Sequence, residues 1–352
     1  MSEFFSSRLS SLTPYTPGEQ PRVRKYIKLN TNESPFPPSE AVIEAIADEA
    51  KSLNLYSDPS LTELRAALAA AYGVAPENVI ASNGSDEALN FITMAYADKG
   101  FAFPDITYGF YPVFCTLNRV NYREIPLKDD FSVDVEAFMS APENVMIANP
   151  NAPTGIALPL SDVERIVSAD PGRIVVIDEA YVDFGGESAV KLIGKYRNLI
   201  VVGTFSKSRS LAGGRLGFAL AAPELIADLD AIRFSTNPYN VNRLTLRAGA
   251  AALKDAEYYK NNALTIIANR EYTAERLRKM GFEALPSKAN FLFIRSEKIE
   301  GAELYARLRE RGVLVRHFTK PRISDYNRVT VGSRAEMDAF LSETEEILNE
   351  IR

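Results

Sequence analysis

Residues 173–181 read Arg-Ile-Val-Val-Ile-Asp-Glu-Ala-Tyr, and residues 199–217 read Leu-Ile-Val-Val-Gly-Thr-Phe-Ser-Lys-Ser-Arg-Ser-Leu-Ala-Gly-Gly-Arg-Leu-Gly. Each begins as a short unbroken run of β-branched residues and then turns polar. A run with no polar alternation needs cover on both faces, as in a parallel sheet held between helices. Val79–Ser82 and Val145–Ala148 have the same form, and the intervening segments are long enough for helices. Ahead of the first run, Leu61, Leu64 and Leu68 share a helical face, with Ser60 and Glu63 spaced as a capping box. Segment 86–97 reads as a helix entered through a glycine-containing turn. The alternation from Ser39 to about Ala222 predicts an α/β fold with a mostly parallel, doubly wound sheet. Ligands of such sheets lie beyond the carboxyl ends of the strands.

The texture changes after Asn240. The pattern predicts one long helical region from Asn242 to Met280, stopped at Gly281. A strand (Asn290–Ile294), a helix (Ala302–Arg311), two strand-like runs (Val313–Arg316 and Arg328–Val331) and a last helix follow. This is the make-up of a smaller α+β domain. Pro14, Pro17 and Pro21 mark the first residues as an extended arm. The division expected is an arm (1–28), a large domain (29–240) and a small domain (241–352) that packs with the arm.

Composition narrows the function. The 352 residues carry a net charge of −6, which disfavours a nucleic-acid partner. One cysteine, Cys115, allows no intrachain disulfide and suits a reducing compartment. With one histidine as well, a metal site is not expected. No apolar run of about 18 residues or signal-like segment is visible, so the expected location is the cytoplasm, with no membrane partner.

Three polar clusters follow the strands. Ser82-Asn83-Gly84-Ser85-Asp86-Glu87 is a glycine turn into a helix, where free backbone N–H groups can bind phosphate; alone, Ser85 or Asp86 reads equally as a helix cap. Asp178 ends a buried strand. As a magnesium ligand it would need a GxxxxGK[ST] loop, which the chain lacks. As the partner of a pyridine nitrogen it would keep that nitrogen protonated. Lys207 lies in a serine- and glycine-rich loop with Arg215 eight residues on. Such a lysine is a nucleophile if its proton is easily lost, and a basic surface loop otherwise.

Taken together with Asn149-Pro-Asn151-Ala-Pro153-Thr-Gly155, these residues resemble the pyridoxal-phosphate (PLP) aminotransferases of fold type I, class I/II. More closely they resemble the histidinol-phosphate aminotransferase group. Lys28-Leu-Asn-Thr-Asn32-Glu-Ser-Pro35, Thr107-Tyr108-Gly109 and Arg328-Val-Thr-Val-Gly332 extend the likeness over nearly the whole chain, in the same order. The resemblance implies that Lys207 holds the cofactor as a Schiff base and carries the proton. It implies that Asp178 pairs with the ring nitrogen, that Asn151 and Tyr181 contact the phenolic oxygen, and that Tyr108 stacks on the ring. Ser85, Asp86, Thr204, Ser206 and Arg215 would surround the phosphate, and Tyr56 would reach it from the other subunit of a homodimer. Many relatives have asparagine directly before Pro-Thr-Gly. Here that position is Ala152, so Asn151 is the expected contact.

A guanidinium pairs with carboxylate or phosphate alike, and for the amino donor and the keto acid the resemblance implies Arg328 as the main anchor, then Arg316, with Tyr15 and Asn32 beside them. The implied reaction is L-histidinol phosphate with 2-oxoglutarate. An aromatic-amino-acid aminotransferase or a threonine-phosphate decarboxylase would share the cofactor residues. A ligand-sensing module would need an attached DNA-binding segment, and a nicotinamide site would need GxGxxG after a strand; neither is seen.

Overall fold

Val175, Val176, Ile177 and Asp178 are all buried, yet they serve two different layers. In the computed structural model, which describes residues 2–21 and 24–351, Val175 and Ile177 join one core and Val176 the opposite one. The period of two in strand side chains feeds both faces, so every residue of the run must be apolar.

The strands in chain order are β1 (Ile27–Lys28), β2 (Val79–Ser82), β3 (Phe101–Pro104), β4 (Tyr122–Ile125), β5 (Asn144–Ala148), β6 (Val175–Asp178), β7 (Leu199–Thr204), β8 (Gly217–Ala221), β9 (Phe282–Ala284), β10 (Phe291–Ser296), β11 (Val313–Leu314), β12 (Arg316–His317) and β13 (Asn327–Thr330). Seven form the large sheet, in the order β2-β8-β7-β6-β5-β3-β4. All run parallel except β8, which is antiparallel to both β2 and β7. Helices Ser85–Ala95, Tyr111–Asn118 and Pro223–Thr236 fill the core on one face. Helices Thr62–Tyr72, Leu160–Ala169 and Arg243–Lys254, with Val42 of Glu40–Glu49, fill the other.

A second core belongs to the four-stranded antiparallel sheet β12-β13-β10-β9 and helices Ala256–Met280, Gly301–Glu310 and Arg334–Glu350. It extends to Leu29, Ala152 and Tyr181, so the small domain packs directly on the site edge of the large one. The arm is tied down by β1 pairing parallel to β11 and by Glu19 accepting from Tyr305 and Arg309.

Three local expectations are corrected. The helical region 242–280 is two helices broken at Asp255, and the first packs in the large-domain core, past the expected boundary at 240. The Ser60–Glu63 capping box does not form. Leu61 takes the cap position with a left-handed backbone, and the Asp58 carboxylate accepts the Ser60 and Thr62 N–H groups instead. The run 313–316 is divided between β11, which pairs with the arm, and β12, which pairs with β13.

Candidate active site

The carboxyl ends of β2, β3, β6 and β7 open onto one side, and each supplies polar groups there. After β2 the chain turns at Gly84, which has φ +80, into the helix Ser85–Ala95. Gly84 is the cap residue and offers no side-chain bond, so Ser85 and Asp86 are not caps. Their backbone N–H groups carry the positive end of the helix. A Cβ at Gly84 would lie 2.4 Å from Arg215 Nη2, and one at Gly217 would lie 2.2 Å from the Ser85 nitrogen. Both positions therefore admit only glycine: β8 and the arginine press directly against the turn.

Arg215 donates to Asp86 Oδ2 at 3.1 Å and to Ser206 Oγ at 3.5 Å. The Thr204 hydroxyl reaches Ser206 Oγ at 3.0 Å. The result is a cation, hydroxyls and a helix start gathered at one wall, which suits a dianion such as a phosphate ester.

Asp178, 5% exposed, accepts the Tyr111 hydroxyl on Oδ2 at 2.9 Å and the Ala180 N–H on Oδ1 at 3.2 Å. Burial pushes its carboxyl up to about 6, against the pull of those two donors. Tyr108 donates to Asp86 Oδ1 at 2.8 Å; burial, then the Asp86 charge, hold its phenol well above the ordinary value. Asn32 has φ 56 and donates through Nδ2 to the Tyr181 oxygen at 3.0 Å. Lys207 Nζ donates to the Thr31 carbonyl at 3.3 Å and lies 5.7 Å from the Tyr181 ring centre.

Ser85, Asp86, Tyr108, Asp178, Tyr181, Thr204, Ser206, Lys207 and Arg215 border one cavity of about 480 Å³. A second cavity of about 760 Å³ shares Tyr108, Tyr181 and Lys207 with it and adds Tyr15, Asn32, Arg316 and Arg328. Arg328 donates to the Asn30 carbonyl at 3.0 Å and keeps a buried Nε without a partner; burial holds its pKa below the usual arginine value. Arg316 donates to the Thr16 and Pro17 carbonyls. Tyr15 stacks on Phe110 at 4.5 Å.

Two of the expected residues border neither cavity. The Asn151 amide is buried and taken up by the Thr107 hydroxyl, the Ile106 carbonyl and the Thr154 hydroxyl, so it borders neither cavity. Ala152 borders both in its place. Tyr56, expected to serve the other subunit's site, is 79% exposed and stacks on Tyr239 at 4.5 Å. Among residues that sequence reasoning passed over, Tyr111 and Thr31 make the first contacts to Asp178 and Lys207. Tyr111 is one helical turn past Tyr108, and that spacing is the only sequence signal for it. His317 borders the second cavity with its Nδ1 buried and unpartnered. Among the described residues no cluster of His, Cys, Asp or Glu is suited to a metal, and no helix is long and apolar enough to cross a membrane.

The sequence matches the family described as aminotransferase class I and II over residues 24–343. It is 47% identical to the histidinol-phosphate aminotransferase of Clostridium acetobutylicum, covering 99% of this chain and 100% of that one. The structure of histidinol-phosphate aminotransferase from Sinorhizobium meliloti, in complex with pyridoxal-5'-phosphate, superposes with a TM-score of 0.90 at 26% identity, covering 100% of this chain and 99% of that one. The L-threonine-O-3-phosphate decarboxylase of Porphyromonas gingivalis shares the fold alone, with a TM-score of 0.81 at 22% identity over 92% of this chain and 99% of that one. With a lysine, a buried carboxylate and an arginine around one cavity, and with the family match running over nearly the whole length, the chain belongs to the class I and II aminotransferase family.

Proposed function

We propose that the chain is a PLP-dependent transaminase acting on L-histidinol phosphate and 2-oxoglutarate to give imidazole acetol phosphate and L-glutamate. One observation carries the chemistry: Lys207, Asp178 and Arg215 border the same 480 Å³ space. That space fits the cofactor by its donor set, with a dianion cup at one wall, an acidic partner for a ring nitrogen and a primary amine. When bound, PLP supplies an aldehyde that condenses with amines and a ring that accepts the electron pair left at the donor's α-carbon.

Arg215, Ser206, Thr204 and the Ser85–Asp86 helix start would hold the phosphate. Asp178, buried and fixed by Tyr111 and Ala180, keeps a proton on the ring nitrogen; a cation there lowers the carboxyl from about 6 and keeps it ionised. Tyr181 accepts from Asn32 and so keeps its own proton free to donate to the phenolic oxygen. Tyr108, its hydroxyl held by Asp86, would supply the aromatic wall against the ring. Lys207 borders both cavities, and its Nζ moves the proton from the donor's α-carbon.

Arg328 and Arg316 take the anionic end of either substrate, phosphate or carboxylate, with Tyr15 and Asn32 shaping the wall. The unpartnered Arg328 Nε is a donor already desolvated for that purpose. The 47% identity to a histidinol-phosphate aminotransferase favours that donor over aromatic amino acids or threonine phosphate.

The test is a set of half-reactions with histidinol phosphate, phenylalanine, tyrosine and threonine phosphate, followed by cofactor absorbance. Histidinol phosphate should react fastest by a wide margin. Equal rates with unphosphorylated donors, or carbon dioxide release from threonine phosphate, would refute the substrate. Lys207→Ala should lose the absorption band. In a homodimer with Tyr56 entering the other site, mixing Lys207→Ala with Tyr56→Ala chains should restore one complete site per mixed dimer; no recovery would refute the shared site.

A further inference from the structure

Residues 31–34 cross the mouth of the lysine loop and grip it twice. The Thr31 carbonyl accepts Lys207 Nζ at 3.3 Å, and Ser34 Oγ bonds Ser210 Oγ at 2.9 Å. Between these grips, Glu33 borders the same cavity as Lys207. Its Oε2 accepts the Thr31 hydroxyl at 2.7 Å, and its carboxylate also takes Lys28 Nζ, at 2.7 Å to Oε1. A single residue, Thr31, thus bonds the lysine through its carbonyl and the glutamate through its side chain.

The other charges facing Lys207 have their own partners. Asp178 is bonded by Tyr111 and Ala180, and Asp86 by Arg215 and Tyr108. Tyr181 is bonded by Asn32, while Arg316 and Arg328 are engaged with carbonyls and add positive charge to the second cavity, beside Tyr15. Glu33 is the carboxylate of the cavity that reaches Lys207 through a shared residue, and its own partner is a second lysine that brings an opposing charge.

We propose that Glu33 is a positioning residue for Lys207, holding Thr31 so that its carbonyl faces Nζ and favouring the protonated lysine nitrogen, while Lys28 opposes it as a counterweight. The pair sets the pH at which the lysine nitrogen gives up its proton. This rests on Lys207 being the cofactor lysine. Against the upward push of burial, the Lys28 and Thr31 bonds, then the Lys28 charge and last the Lys207 charge hold Glu33 below its ordinary value.

The test is a spectrophotometric pH titration of the cofactor–lysine band in the holoenzyme at low salt. Glu33→Gln removes negative charge and lowers the midpoint, by roughly half a unit to one unit for charges at this range. Lys28→Met removes positive charge and raises it. Glu33→Asp returns it toward wild type, and concentrated salt shrinks both shifts. A purely structural strap would move both variants alike, through damage. Shifts in the same direction, or none, overturn the proposal while the band itself upholds the cofactor assignment. A wild type with no band overturns both.

Discussion

Tyr111→Phe removes one hydroxyl and leaves the ring, with its packing on Phe103 at 5.7 Å and Tyr108 at 5.6 Å. What is lost is an O–H bond of 2.9 Å to the buried Asp178 carboxylate. A hydrogen bond to a charged group is worth about 1.5–3 kcal/mol. At about 1.36 kcal/mol per pKa unit, Asp178 should rise by roughly one to two units. The sign follows from the donor's preference for the charged carboxylate: it opposes burial, and about 6 is where the group stands with that opposition in place. A raised carboxyl adds stability that is full below its unfolded pKa and is lost as pH rises through the folded value. The variant moves the upper end of that window further up. In the holoenzyme a less acidic Asp178 holds the ring proton less well. The donor half-reaction should slow by about tenfold to a hundredfold at neutral pH, at roughly 1.4 kcal/mol per factor of ten. The acid limb of its pH profile should move up by about one unit. Stopped-flow rates across pH, with thermal unfolding of the same samples, measure both. A wild-type rate and pH profile in a folded variant would refute the role given to this hydroxyl.

Three further outcomes are expected. Gly217→Ala sets a Cβ 2.2 Å from the Ser85 nitrogen, so the turn must shift; a stability loss of about 1–3 kcal/mol in denaturant melts and weaker cofactor retention should appear together. Glu179, buried beneath Ser188 and Ala189, has its carboxyl pushed up to about 8. Wild type should therefore lose stability relative to Glu179→Gln as pH rises from 5 to 8, by at most about 4 kcal/mol, and parallel curves would refute this. Arg328→Lys replaces a planar fork by a point charge; the donor KM should rise about tenfold while the cofactor band stays in place, and an unchanged KM removes Arg328 from the substrate site.

Much of the large domain was legible because its strands carry their burial in their composition. Runs such as Val175–Ile177 have no polar face, and their polar ends mark the ligand side. The reversal of β8 was not legible, since Phe-Ala-Leu-Ala suits either direction. The break at Asp255 has no glycine or proline to announce it. The two-residue pairing of β1 with β11 is too short for periodicity to show. At the site, the groups that do chemistry stood out by type, while those that hold them did not. Tyr111 reads as a core aromatic, and Thr31 acts through a backbone carbonyl that any residue supplies. Asn151 is the opposite case: an amide of the expected type, turned by its own loop to bond Thr107, Ile106 and Thr154.

The reversed strand has one more consequence. β7 and β8 meet at the rung pairing Thr204 with Gly217, and the chain leaves and returns there with the Phe205 N–H bonded to the Leu216 carbonyl at 2.9 Å. Lys207 and Arg215 are both carried on that single excursion. The two groups that would grip the cofactor, one by a covalent bond and one by charge, are therefore jaws of the same caliper, joined at that one rung.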